Sequence, residues 1–180
     1  MDYEQKIIEF LSQGQNLNFL FKLETQIPKV RDHLRKELNG AFFEMLPKDE
    51  YARASDKSNI YCKNRDFQDA KYYYLGICIR LDADEAFFGI IGPHGIDTAN
   101  PHYEPLQSKL KTLGMQGHWR NWFVWKDFST QDMNKVYLEL KADNAKGIFE
   151  NWLAEFNDFK EDIKPTLEAL NQWIGSKQVS

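Results

Sequence analysis

The sequence has few cysteines and no long apolar run. Cys62 and Cys78 are too few for a disulfide scaffold, so we expect two reduced thiols and a cytoplasmic location. The longest apolar run, about Tyr72 to Ile79, is far shorter than the ~18 residues that a membrane helix needs. The opening stretch, MDYEQKIIEF, has two early acids and lacks the apolar core of a secretory signal. We therefore expect neither a membrane span nor a secretory signal.

The chain also lacks an excess of basic residues. Its net charge is −4, so no overall positive field attracts nucleic acid, and such binding would need a local basic patch. Aromatic residues, in contrast, make up 14% of the sequence, and disordered chains are poor in them. The length of 180 residues suits one domain of ordinary size. We predict a single domain over residues 1–180.

Both ends of the sequence show helical periodicity. In the helical front, residues 1–47, a short first helix is expected to end at Gly14 and a later one to begin near Pro28. The helical end, residues 130–175, keeps its apolar stripe almost to the terminus, and Pro165 either kinks one helix or opens a second. The stripe of the front recurs at spacings of three and four and comprises Val30, Leu34, Leu38, Phe42 and Met45.

The middle of the chain, residues 58–127, has the aromatic and β-branched composition of strands. Two apolar runs on either side of an acidic turn at 82–84 predict a central antiparallel hairpin. The predicted strands are Ser58–Cys62, Lys71–Leu81, Glu85–Ile91 and Trp119–Lys126. We therefore predict an α+β fold in which an antiparallel sheet of about four strands is covered by the N- and C-terminal helices.

Three segments of this pattern carry a family resemblance: FFEML at 42–46, the hairpin YYYLGICIRLD…EAFFGIIG, and the tryptophan-rich HWRNWFVWKDF. Over about Val30 to Asn171 the chain resembles the C-terminal accessory region of bacterial PD-(D/E)XK-type nuclease family proteins, which occur near mobile-element and defence genes. In those longer proteins a preceding nuclease core supplies the acidic metal ligands. We expect this chain, which begins with methionine, to have no room for that core. The resemblance therefore implies binding or regulation in bacterial or phage defence or counter-defence, rather than cleavage.

One constellation offers an enzymatic alternative. Asp127, Glu139 and Lys141 match the PD-(D/E)XK pattern if residues 130–142 form a strand, because a period of two places Glu139 and Lys141 on one face. The two carboxylates would then bind Mg²⁺ as a cofactor, and the lysine would stabilise developing charge. The same stretch also fits a helix, since apolar residues recur at helical spacing at Met133, Val136, Tyr137 and Leu140. In a helix Glu139 and Lys141 point apart.

The favoured candidate site is a binding surface formed by the His94–His102 loop and the strand Trp119–Lys126. The loop carries glycine and proline at turn positions, and long loops often serve recognition. Tryptophan and arginine are common at protein-binding hot spots, and aromatic residues among cations can also stack bases and hold phosphates. The candidate binding residues are His94, His102, Tyr103, Trp119, Arg120, Trp122 and Lys126.

Our leading hypothesis is a non-catalytic recognition or regulatory domain that binds a macromolecule, with protein as the first choice and nucleic acid as the second. It needs no cofactor and no membrane. No metal site is expected, because the spacing of His94, His102 and His118 fits no compact zinc motif. Two alternatives stay open: a compact Mg²⁺-dependent nuclease, and a small-ligand sensor with a pocket between the sheet and the His94–His102 loop.

Overall fold

The structure of the protein is a computed structural model, which describes residues 3–53, 59–62, 75–82, 84–92, 100–119, 122–130 and 132–177. Five α-helices in these ranges are Tyr3–Leu11 (α1), Gly14–Glu44 (α2), Glu104–Thr112 (α3), Met133–Lys141 (α4) and Lys146–Lys177 (α5). A short 3₁₀ helix covers Pro101–Tyr103. The strands are Tyr51–Arg53 (β1), Asn59–Cys62 (β2), Gly76–Leu81 (β3), Ala86–Ile91 (β4), Gln116–Trp119 (β5) and Trp122–Asp127 (β6).

The strands form one antiparallel sheet in the order β1-β2-β3-β4-β6-β5. Its centre is the β3–β4 hairpin, in which Ile77 faces Ile90 and Ile79 faces Phe88. The Asp82 N–H donates to the Glu85 carbonyl at 2.8 Å and closes the turn between the two strands. The predicted α+β fold and its central hairpin are therefore confirmed, while residues 71–74 of the predicted first strand lie outside the described residues.

The sheet has six strands in the described residues instead of about four. One additional strand is β1, whose three residues are too short to show an alternating pattern in the sequence. The other arises because residues 119–126 were predicted as one strand, whereas β5 ends at Trp119 and β6 begins at Trp122. Trp119 and Trp122 face each other in register, so the chain reverses between them. Because tryptophans occur on both sides of this reversal, the sequence pattern looks like one continuous strand and does not reveal the turn.

The proline inside α2 does not separate two helices. We expected a helix to begin near Pro28, but α2 runs without interruption from Gly14 to Glu44. A proline removes one backbone hydrogen bond, and neighbouring good helix formers such as Glu24, Gln26 and Lys29 favour continuation. In the same way α5 continues through Pro165 as one helix. The break expected at Gly14 is present, since α1 ends at Leu11.

The main core lies between one face of the sheet and helices from both ends of the chain. Leu38 and Phe42 of α2 and Trp152 and Phe156 of α5 are 0% exposed. The Phe128 ring stacks on Trp152 with ring centroids 5.0 Å apart. A smaller cluster on the opposite face contains Cys78 and Phe87, packed by three half-buried residues, Tyr61, Ile91 and Trp125.

A buried amide anchors the second half of α2 to the sheet. The Asn39 Nδ2 donates to the Leu81 carbonyl at 2.8 Å and to the Arg35 carbonyl at 3.0 Å. Asn39 is 0% exposed, so these hydrogen bonds offset the cost of burying its amide nitrogen, whereas its Oδ1 has no hydrogen-bond partner among the described residues. Val30, in contrast, is 52% exposed although it continues the same apolar stripe toward the N-terminus. The part of α2 before about residue 31 therefore extends beyond the core.

Candidate functional site

The predicted binding residues fall into several parts of the molecule. His94 and Arg120 lie outside the described residues, and only the backbone of Trp119 and Trp122 is described. These two tryptophans occupy facing positions at the end of the β5–β6 hairpin. Whether the loop and the hairpin form one surface therefore stays a prediction.

His102 and Tyr103 pack against the last turns of α5. The exposed His102 ring stacks on Trp173, with ring centroids 4.0 Å apart and planes 23° apart. The His102 N–H donates to the Asn100 Oδ1 at 3.0 Å, which caps the 3₁₀ helix. Tyr103 is 8% exposed and meets the same tryptophan edge-on. Both rings thus contribute to the fold, and His102 keeps an accessible face.

Lys126 lies in an acidic setting on the helix side of the sheet. Its Nζ donates to the Leu113 carbonyl at 3.3 Å. It lines a hollow of about 210 Å³ together with the carboxylates of Glu155, Asp158 and Asp162. One of these carboxylates, Asp162, is paired with Lys109 at 3.1 Å, so three carboxylates and two lysines leave a net negative charge that opposes the approach of a phosphate. The local environment of Lys126 therefore does not favour a nucleic-acid backbone.

The strand arrangement required by the nuclease alternative is absent from residues 132–142. These residues form α4, and the Asp132 Oδ1 accepts a hydrogen bond from the Lys135 N–H at 3.2 Å as its N-cap. Glu139 and Lys141 are two residues apart on a helix and point in different directions. Lys141 instead contacts Glu37 of α2 at 2.5 Å.

Asp127, the third residue of that alternative, accepts a hydrogen bond from the Gln116 Nε2 at 3.2 Å across the β5–β6 hairpin. Among the described residues, no group of three His, Cys, Asp or Glu side chains is placed to hold a metal ion. The nuclease alternative depended on a strand at 130–142. The helical pattern, which the sequence also offers there, is the one observed, with Met133, Val136 and Tyr137 buried, so Glu139 and Lys141 do not take the geometry that this alternative requires.

A charged cleft of about 430 Å³ lies between α5 and the sheet, where β2 ends at Cys62 and β3 begins at Gly76. Its polar lining comprises Glu50, Cys62, Lys160, Glu161, Lys164, Glu168 and Asn171. Asn171 exchanges two hydrogen bonds of 3.0 Å with the backbone of Leu75 and fixes one end of the cleft. This cleft differs in location from the predicted sensor pocket beside the His94–His102 loop, of which residues 93–99 lie outside the described residues.

The floor of the cleft contains a hydrogen-bonded group of ionisable side chains. The Lys160 Nζ donates to the Tyr51 hydroxyl at 3.1 Å and contacts Glu50 at 3.3 Å. Burial opposes the charge on Lys160, but the hydrogen bonds and nearby charges outweigh it and raise the pKa of the lysine. Burial raises the pKa of the Cys62 thiol to about 11. Cys62 is therefore protonated near neutral pH and is a poor nucleophile.

Exposed large apolar side chains of the described residues concentrate on the two N-terminal helices. Among the described residues, nine large apolar side chains are exposed, and eight of them lie on α1 or on α2 up to Val30, a segment that we call the arm. Their exposed fractions range from 41% to 63%. These residues are Ile7, Ile8, Phe10, Phe19, Phe21, Leu23, Ile27 and Val30. Exposed apolar patches of this extent typically mark interaction sites.

Part of the arm has the spacing of a coiled-coil helix. Successive separations of three, four, three and four residues, typical of a and d heptad positions, join Leu20, Leu23, Ile27, Val30 and Leu34. We call these five residues the seam. The sequence pattern places both Val30 and Leu34 in the apolar stripe of the front. Leu34 does pack against the core, whereas Val30 is 52% exposed. A count of heptad spacing upstream of Val30 would have found the seam.

Comparisons of the chain with protein-family models, curated proteins and solved structures each find no match. The resemblance to the accessory region of PD-(D/E)XK-type nucleases therefore stays a prediction.

Proposed function

We propose that this chain is a non-catalytic recognition or regulatory domain that binds a protein partner through its arm. The observation that carries this proposal is the concentration of exposed apolar side chains on α1 and the first half of α2. Leaving these side chains in water costs free energy that burial against a partner recovers, at roughly 25 cal/mol per Å² of apolar surface. A protein partner can supply the apolar complement.

The charges of the arm favour a protein over a nucleic acid or a lipid surface. Residues 3–30 contain three lysines and three glutamates, so their formal charges cancel. Phosphate backbones and anionic membranes attract segments with an excess of lysine and arginine. The arm has no such excess, and the three carboxylates around Lys126 further disfavour phosphate. A partner surface that is apolar and has no net charge therefore matches the arm best.

Two further observations support a non-catalytic domain. The Cys62 thiol lines the charged cleft but has a pKa of about 11, which leaves little thiolate at neutral pH. Glu139 and Lys141 lie on a helix, which does not offer the geometry of the nuclease alternative. A role in bacterial or phage defence or counter-defence rests on the family resemblance alone. The loop and strand residues predicted from the sequence remain candidates for a second contact surface.

Site-specific photocrosslinking in the native cells tests the proposal. Replacement of Phe19 by p-benzoylphenylalanine places the photoreactive ketone on the arm, where the side chain is 63% exposed. The matched control places it at Leu138, which is 72% exposed on α4, away from the arm. We expect irradiation to give a discrete protein adduct from position 19 and none from position 138. Absence of any adduct from position 19, or equal adducts from both positions, would contradict an arm-specific protein partner.

A further inference from the structure

We propose that the protein bound by the arm is a second copy of this chain, and that the two α2 helices pair antiparallel along the seam. This inference rests on the proposed function and specifies its partner. In the proposed pairing Ile27 of one chain faces Val30 of the other, and Leu23 faces Leu34. The result is a symmetric dimer in which each chain contributes the same surface.

The geometry of α2 supports a helix as the occupant of the seam. Leu23, Ile27 and Val30 are 43%, 42% and 52% exposed, and they follow the a and d spacing by which side chains of one helix fit between those of another. Leu38 and Phe42, farther along the same helix, are already fully buried in the chain's own core. Leu23, Ile27 and Val30 are thus the part of the seam that needs a partner from outside the domain, while the half-buried Leu34 at its end already packs against the core.

Symmetry and charge support a second copy as that partner. Leu23, Ile27 and Val30 are exposed on each chain, so a symmetric pairing covers all six of these side chains at once. The chain carries a net charge of −4, yet the arm is neutral. Two arms can therefore meet without the repulsion that two acidic surfaces would have.

Charge placement beside the seam selects the antiparallel direction. Glu24 and Arg31 are seven residues apart and follow Leu23 and Val30 directly, so they lie on the same flank of the seam. In the antiparallel pairing the Glu24 flank of one chain meets the Arg31 flank of the other, and symmetry gives this opposite-charge pair twice. In a parallel pair, residues of this flank do not face each other. The antiparallel direction also places the two cores at opposite ends of the paired helices.

Arg31 already has an intramolecular partner that can yield to the dimer contact. Its Nη1 lies 3.0 Å from the Asp84 carboxylate, and the two side chains are 54% and 68% exposed. Exposed ion pairs of this kind contribute little to stability. When Arg31 leaves Asp84 and pairs with Glu24 of a second copy, the loss of the intramolecular ion pair therefore costs little free energy.

Sedimentation equilibrium of the full chain tests the proposal, and circular dichroism verifies the fold of each variant. We expect the parent chain to form dimers and Ile27→Glu to abolish them, because it places two carboxylates at the centre of the seam. The matched control is Phe21→Glu on the opposite side of the same helix, where the side chain is 56% exposed. This variant should dimerise like the parent.

A charge-exchange series tests the direction of pairing. Glu24→Arg and Arg31→Glu should each weaken dimerisation by about tenfold or more, because each places like charges opposite one another. The double variant should restore the parent affinity to within a few-fold. Asp84→Asn serves as a control for loss of the intramolecular pair and should not weaken dimerisation.

The outcomes separate this inference from the proposed function. A parent chain that is monomeric at high concentration, or a dimer equally weakened by Phe21→Glu and Ile27→Glu, overturns pairing through the seam. If position 19 then crosslinks to a different protein in cells, the proposed function stands and the second copy does not. A double variant that fails to recover overturns the antiparallel direction.

Discussion

Cys62 shows how burial controls the chemistry of a single side chain. The thiol lies beside Tyr51 and Lys160, and burial raises its pKa from 9.0 to about 11. At pH 8 the folded chain should therefore hold about a hundredfold less thiolate at Cys62 than the unfolded chain. We expect iodoacetamide, followed by mass spectrometry, to label folded Cys62 more slowly by at least this factor.

The pH dependence of this labelling distinguishes a raised pKa from simple obstruction. The rate for folded Cys62 should keep rising up to about pH 11, whereas the rate for the unfolded chain should level near pH 9. Because the folded state holds its proton more tightly, Cys62 also makes the fold less stable as the pH rises from 9 toward 11. A labelling profile that levels near pH 9 in the folded chain would contradict this account.

Gly89 is required by the close approach of two strands. A Cβ at this position would lie 2.1 Å from the Val124 carbonyl oxygen and 2.8 Å from the Trp125 Cα. Both contacts are with backbone, which cannot rotate away, so Gly89→Ala should cost about 2 kcal/mol or more. Urea denaturation measures the loss. Gly117→Ala is the control, because an added Cβ there has nothing within 4 Å, and a stability loss as large in this control would remove the steric explanation.

At the scale of elements, α4 depends on one identifiable N-cap. The Asp132 Oδ1 accepts the Lys135 N–H, which would otherwise have no partner in the helix. Asp132→Ala should therefore reduce the free energy of unfolding by about 1 kcal/mol, while Asp132→Asn keeps an acceptor and should lose only a few tenths. Chemical denaturation of the three proteins measures both differences. Equal stability of the alanine variant and the parent would argue against a capped helix at this position.

The sequence predicts elements well where one periodicity dominates. The β3–β4 hairpin and the end of α1 near Gly14 follow from apolar runs and turn residues. The β5–β6 reversal is hidden in the sequence because tryptophans occupy both sides of it, and Pro28 lies inside a continuous helix, so a proline alone does not mark a helix boundary. At 130–142 strand and helix patterns overlapped. There, burial of Met133, Val136 and Tyr137 on one side of α4 accompanies the helix.

At the scale of the whole molecule, exposure is the property that the sequence does not encode locally. Ile27 and Leu38 are both apolar residues on α2, and each belongs to a run of apolar residues at spacings of three and four. One is 42% exposed and the other is fully buried, because the core ends between them. The candidate site therefore emerged from the placement of α2 relative to the sheet. The loop and strand residues proposed from composition remain untested, since His94 and Arg120 lie outside the described residues.

This contrast along one helix provides a decisive test of the proposed architecture. Leu38→Asp buries an unpaired carboxylate in the main core and should cost several kcal/mol or prevent folding. Ile27→Asp places the same carboxylate on the arm and should change the free energy of unfolding by less than about 0.5 kcal/mol. Both are measured by urea denaturation at concentrations too low for a second copy to bind. If Ile27→Asp destabilised the dilute chain as strongly as Leu38→Asp, the arm would have to pack against its own domain, and its apolar side chains would no longer be available to a partner.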